Sequence, residues 1–262
     1  MTVQYHIGTM GFGYKAWQGT FYPEKLPKAR QLAYYATRFQ ALEMDSTFYG
    51  VPRAESVVRW RETTPDGFKF CPKMPREITH DLKLSPAAEP VLTSFVETLR
   101  LLEDRLGPVV IQFPPDFVSA ELETLANFLP GLPGDLRFAL EFRHRSWWGE
   151  RTAELLRAHH MCWIAADYLY MPREIWQTTD FLYLRFLGRH GRFATKTHEV
   201  LDRTDDLVHW REQLLPHVET APAVYAFFNN DYSGYSPATA DRFKALLGLD
   251  VEPGTPRQGK LF

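Results

Sequence analysis

The stretch Arg137-Phe-Ala-Leu-Glu-Phe-Arg-His-Arg-Ser-Trp-Trp148 begins as a strand and ends as something else. Side chains alternate across a strand, so Phe138, Leu140 and Phe142 share one face and Ala139, Glu141 and Arg143 share the other. The apolar face is that of a strand covered by helices. The other face starts small and ends in a carboxylate and a guanidinium two residues apart. Charges at the end of an otherwise buried strand cost free energy unless they are paired or used. Ser146 then reads as the cap of a following helix, with Trp147 and Trp148 at its start. The segment supplies a strand, a charged strand end and an aromatic wall. The question it poses is whether other strands end the same way.

Seven further apolar runs read as strands: Tyr5–Gly8, Ala41–Asp45, Phe68–Cys71, Val109–Phe113, Met161–Asp167, Phe181–Arg185 and Ala223–Phe228. Between them lie amphipathic stretches. Leu32, Tyr35 and Phe39 predict a helix over Lys28–Phe39, and another covers Ala54–Glu62. Ser85-Pro86 opens a stripe of Leu92, Phe95, Val96, Leu99 and Leu102, in which Pro90 is awkward. Further helices are expected from Ser119 with Leu122, Leu125 and Leu129, over Glu150–His159, over Asp205–Leu215, and from Ser236-Pro237 to Gly248. The crossover at Pro172–Thr179 is the least well formed of the helical stretches. Strand–helix alternation implies a parallel sheet, and eight such units imply a (β/α)8 TIM barrel in a single domain over residues 1–249, with a tail at 250–262. An open doubly wound sheet is the alternative, but no Gly-x-Gly-x-x-Gly follows the first strand.

A chain of 262 residues suits one such barrel. Its net charge of −2 excludes a generally basic nucleic-acid binder, though not a local basic patch. The two cysteines, Cys71 and Cys162, have no metal-type spacing and sit in apolar runs, as suits a reducing cytoplasm. No signal peptide is read at the start, and no apolar run approaches the roughly 18 residues that cross a bilayer. The expected setting is cytoplasmic, away from membranes.

Read together, the strand ends are polar. The second ends in Glu43 and Asp45, the third is followed by Lys73, and the fourth gives Gln112. The fifth gives Glu141 and Arg143, the sixth Asp167, the seventh Arg185, and the eighth Asn229 and Asn230. In a barrel these ends form the active-site face. The competing account is a layer of ion pairs that plugs the mouth, Glu141 with Arg143 and Asp167 with Arg185. Glu43, Glu141 and Asp167 are candidate general acids or bases. Lys73, Arg143 and Arg185 would compete with a metal for those carboxylates, so no metal site and no required cofactor is assigned. The cations favour an anionic substrate instead, because arginine grips phosphate or carboxylate through two hydrogen bonds. His80, His144 and His190 fall in loops on the same side and are candidate acids or bases, histidine being the side chain suited to that role near neutral pH. Trp17, Tyr49 and Trp147 are candidate stacking walls for a sugar or base, packing being the more frequent role of such residues.

Gly8-Thr-x-Gly11 with Trp17 and Phe21-Tyr-Pro23, then Glu43-x-Asp-Ser-Thr-Phe-Tyr49, Gln112-x-Pro-Pro115, Glu141-Phe-Arg-His-x-Ser-Trp147 and Phe228-Asn-Asn230, resemble the YecE-like family, domain-of-unknown-function family 72. The resemblance runs from about His6 to Leu247. It implies a TIM barrel and no settled reaction. The family's motif residues fall on Glu43, Lys73, His80, Gln112, Glu141, Arg143, Asp167, Arg185 and Asn229–Asn230. Asp45 stands where the family usually has asparagine and Met10 where it often has serine. A second carboxylate at 45 would raise the pKa of Glu43 by repulsion or pair with a cation.

These readings converge on an enzyme that binds a small anionic or phosphorylated substrate and performs hydrolase or lyase chemistry. The alternative is a nucleic-acid maintenance protein, with the basic loop Arg189–Lys196 on phosphates. In it the tail, Gln258-x-x-Leu-Phe262, would dock on a DNA sliding clamp, since it is similar to clamp-binding peptides although Gly259 replaces their apolar residue. Metal-dependent phosphodiester cleavage at the same mouth is a third option.

Overall fold

The computed structural model describes residues 3–251. Its strands are β1 (Gln4–Met10), β2 (Ala41–Met44), β3 (Lys69–Pro72), β4 (Val109–Gln112), β5 (Phe138–Glu141), β6 (Cys162–Trp163), β7 (Ala165–Asp167), β8 (Phe181–Phe186) and β9 (Ala223–Phe228). The helices are α1 (Lys28–Ala36), α2 (Ala54–Thr63), α3 (Glu89–Arg100), α4 (Leu122–Phe128), α5 (Glu150–Ala158), α6 (Thr204–Leu214), α7 (Asn230–Ser233) and α8 (Ser236–Leu246). The fold is α/β, and every pairing between these strands is parallel. A six-stranded sheet runs β3-β2-β1-β9-β8-β7 and a three-stranded sheet runs β4-β5-β6.

Alternation along the strands separates two apolar layers. Phe138, Leu140 and Phe142 face the helices, with Trp163, Leu182 and Leu184. Ala41, Cys71, Val110, Ala139, Cys162, Tyr183 and Phe227 form the layer on the opposite face. Both cysteines are buried and free. Gly8 lies where β1 crosses β2: a Cβ there would sit 1.9 Å from the Ala41 carbonyl oxygen, so no larger residue fits. Pro90 falls in the first turn of α3, where it removes no helical hydrogen bond, which is why it does not break the stripe.

Two expectations need correction. The run Met161–Asp167 is not one strand. Trp163 N donates to Thr178 Oγ1 (2.9 Å) and Ile164 N to the Leu140 carbonyl (2.9 Å), after which β7 turns to pair with β8. Pro172–Thr179 forms no helix. Its Thr178 is held by β6, donating to the Met161 carbonyl (2.7 Å), and Trp176 stacks on Trp163 with centroids 5.3 Å apart. Threonine side chains that bond the backbone in this way compete with a helix. Continuous sheet pairing does not run round a closed ring. It stops between β3 and β4 and between β6 and β7. At the first stop lie isolated parallel bridges, Phe70 with Leu106 and Lys73 with Val110.

Among the described residues no helix is long and apolar enough to cross a membrane. Gln258–Phe262, the stretch similar to a clamp-docking peptide, lies outside the described residues.

Candidate active site

The parallel strands bring their C-terminal ends to one side, and alternation decides which side chains meet there. Register sets Met10 beside Glu43, Glu43 beside Cys71, and Gln112 beside Glu141. Glu43 and Glu141 are fully buried, and Arg185 lies between them with 2% of its surface exposed. Arg185 Nε donates to both oxygens of Glu43 (3.0 and 3.2 Å), and its Nη2 donates to Oε1 (2.6 Å). Its Nη1 donates to Glu141 Oε2. Tyr183 Oη completes the shell of Glu43 (2.7 Å). Arg143 sets its Nε against Glu141 Oε1 and lays its guanidinium over the Tyr168 ring, 4.0 Å from the centroid.

Above this cluster opens a cavity of about 270 Å³, lined by Asp45, Lys73, Gln112, Arg143 and Asp231 among others. Lys73 Nζ donates to Gln112 Oε1 (2.7 Å) and sits 3.8 Å from the centre of the Phe48 ring. Asp45 is partly exposed, its Oδ1 3.8 Å from Arg185 Nη2. Asp231, buried at the start of α7, accepts from Gly191 N (3.2 Å) and faces Lys196 Nζ at 3.5 Å. A second cavity of about 540 Å³ adjoins the first, sharing Gln112, Arg143 and Tyr168 and adding the apolar Pro115, Leu169, Tyr170 and Met171.

The charges perturb one another. Burial pushes Glu43 above the usual carboxylate value and Asp45 adds to this, against the pull of Arg185. Burial also pushes Glu141 upward, but Arg143 and Arg185 together outweigh it and hold the group low. Burial, with Arg185 nearby, pulls Lys73 down to about 8. His80 is lowered by burial and by Lys73 and Arg76; its ring meets Phe48 edge-on, centroids 5.1 Å apart.

The structure thus gathers Glu43, Lys73, Gln112, Glu141, Arg143, Arg185, His190 and Asn229 at one place. His190 is fully exposed on the rim. Asn229 caps α7, accepting from Asp231 N (2.8 Å). Asp167 is not part of the gathering. It lies on the helix-facing side, on the face of Trp163 and Ala165, accepting from Trp210 Nε1 (2.9 Å) and Tyr232 Oη (2.8 Å). Its cation is Arg173, not Arg185. The ion pair of Glu141 with Arg143 is present; Asp167 with Arg185 is not.

Asn230 is buried and accepts from Trp17 Nε1 (3.2 Å) and Ser236, so both Asn230 and Trp17 belong to the packing. Trp147 is equally buried, stacked on Phe117 and Phe142 and donating to the Phe117 carbonyl (2.7 Å). Tyr49 is 85% exposed and lines a separate groove. His144 lines the second cavity and accepts from Ser146 N (3.2 Å), capping a short 3-10 turn over Arg145–Trp147; α5, the helix Ser146 was expected to cap, starts after Gly149 with no side-chain cap. Tyr183, Asp231, Phe48 and Tyr168 were not singled out from sequence. Tyr183 shares the face of Arg185, a signal that alternation offered. Among the described residues no cluster of three or more His, Cys, Asp or Glu is placed to hold a metal ion.

An α/β fold of parallel strands, here with a buried ionic cluster at the strand ends, is a fold that solved structures of other proteins share. The chain belongs to the family described as "Protein of unknown function DUF72", matched over residues 6–260. It is 27% identical to the UPF0759 protein YunF of Bacillus subtilis, over 98% of this chain and 99% of that one. It is 37% identical to the UPF0759 protein YecE of Escherichia coli over 128 residues, a match that spans 48% of this chain and 47% of YecE. A crystal structure of a DUF72 family protein from Thermotoga maritima superimposes with a TM-score of 0.80 at 31% identity, covering 94% of this chain and 99% of that one. One from Enterococcus faecalis gives 0.76 at 22% identity over 95% and 99%, a likeness of fold alone.

Proposed function

We propose that the protein is a cytoplasmic enzyme that binds a small anionic, phosphorylated substrate above Arg185 and acts on it by acid–base chemistry, as a hydrolase or lyase. The observation that carries this reading is the convergence of three cations on one cavity. Arg185 is saturated by Glu43 and Glu141, so its charge is offset and it forms a rigid floor beneath the cavity. Arg143 spends its Nε on Glu141, which leaves its terminal nitrogens to face the cavity. Lys73 adds a third cation. Fixed cations at a water-poor site stabilise charge that develops in a reaction.

In this reading Glu43 and Glu141 are positioning residues, since both are sealed from the cavity. Asp45, the carboxylate that is partly exposed there, moves the proton. The remainder of the substrate extends past the Arg143–Tyr168 stack into the apolar cavity. We further propose that the strands close into a (β/α)8 barrel. The bridges from β3 to β4, the single residue Ile164 that links β6 to β7, and the bonds from Met74 N to the Val110 carbonyl (2.8 Å) and Gly107 N to the Phe70 carbonyl (2.8 Å) support it.

Titration calorimetry with inorganic phosphate and a panel of sugar phosphates tests the site. The parent is expected to bind at least one of them. Arg143→Met is expected to bind it about 10- to 100-fold more weakly, the range for a lost charge-assisted hydrogen bond. A panel that fails to bind the parent, or binds the variant equally well, overturns the reading.

A further inference from the structure

We propose that the Lys73 amine is a nucleophile that condenses with the carbonyl carbon of an anionic aldehyde or ketone bound in this cavity. The inference rests on the anion reading above and narrows its substrate class to carbonyl compounds.

Lys73 follows β3 directly, so its backbone is fixed. Its N donates to Thr47 Oγ1 (2.9 Å), and Thr47 in turn donates to the Lys73 carbonyl (2.7 Å). The side chain is buried, yet its tip lines the cavity. Its immediate neighbours are a neutral amide, Gln112, and an aromatic ring, Phe48. Among the described residues it forms no ion pair, whereas both neighbouring arginines are paired with carboxylates. Burial with no carboxylate in ion-pair range, beside the Arg185 guanidinium, favours the neutral amine. The face of Phe48 and the carboxylates of Asp45, Glu141 and Glu43 favour the ammonium, but burial and Arg185 prevail, leaving a pKa of about 8. Lysines activated in this way form Schiff bases with carbonyl substrates.

The step balances without an oxidant or reductant. The nitrogen lone pair attacks the carbonyl carbon, a C–N bond forms, and the carbonyl electron pair moves to oxygen, which takes a proton. The nitrogen gives up the proton that the oxygen gained, one further proton from an acid in the cavity lets the hydroxyl leave as water, and a protonated imine remains. Asp45 lines the same cavity and can relay those protons. The protonated imine draws electrons from the adjacent carbon, which is the activation that a lyase needs.

The test uses the full chain with pyridoxal 5′-phosphate and dihydroxyacetone phosphate as probes, each with sodium cyanoborohydride, read by intact mass and peptide mapping. The expected result is one reduced adduct per chain, at Lys73, formed about tenfold or more faster than at exposed lysines because more of the amine is unprotonated at pH 8. Inorganic phosphate should compete, and Lys73→Met, checked for the parent's circular dichroism, should give no such adduct. Label spread over surface lysines, or phosphate binding with Lys73 unlabelled, overturns the proposal and leaves the anion site standing. An adduct at Lys73 that phosphate does not block keeps the nucleophile and overturns the anion site.

Discussion

Arg185 shows how one side chain organises the centre. It is buried between two carboxylates and donates to both. Removing it while the carboxylates remain should be far more harmful than replacing the whole group. Arg185→Met is expected to destabilise by about 3–5 kcal/mol in urea unfolding, and much of that loss should return in the Glu43→Gln/Glu141→Gln/Arg185→Met triple variant. Lys73 makes the opposite case. Its pKa in the fold, about 8, lies below its usual 10.5, so the folded state resists its protonation. Stability should therefore rise as pH increases from about 8 to 10.5. Lys73→Met should melt above the parent at pH 7, with the gap closing toward pH 10.5 in matched-salt thermal scans.

At this scale Glu43, Glu141, Arg143 and Arg185 were legible because a period of two assigns each to the face of a small or interior residue. Asp167 was misplaced although it shares the face of Trp163. A tryptophan of that size belongs to the roomier layer against the helices, and reading that would have moved Asp167 outward. Asp231 was not legible at all: its burial depends on a backbone contact with Gly188, where a Cβ would lie 1.6 Å from the Asp231 carbonyl oxygen.

Among elements, the sixth strand is the instructive one. Met161–Asp167 has the composition of a single buried strand, but its neighbours differ along its length. β6 follows β5, β7 follows β8, and the amide of Trp163 has neither as partner. Thr178 supplies the acceptor. That is why the stretch Pro172–Thr179 does not coil into a helix, and no local pattern announces it, because the need arises from a strand amide elsewhere in the sequence. Thr178→Val keeps the shape and removes the acceptor. It is expected to cost about 1–3 kcal/mol and to speed amide exchange at Trp163, measured by urea unfolding and deuterium uptake.

At the scale of the molecule, alternation of apolar runs was enough to give parallel sheets wrapped by helices, because crossover connections permit little else. The tie between β3 and β4 was not readable, since it is made by isolated bridges and not by a ladder. The site lies across that tie. Lys73 and Arg185 belong to the six-stranded side and Gln112 and Glu141 to the three-stranded side, so the bonds that arrange the charges also fasten one sheet to the other. A ligand that drew Lys73 away from Gln112 would loosen a seam whose backbone bonds run from Gly107 to Phe70 and from Met74 to Val110. Occupancy would then be written into the solvent exchange of those two amides, and the protein would carry its own reporter of what fills it.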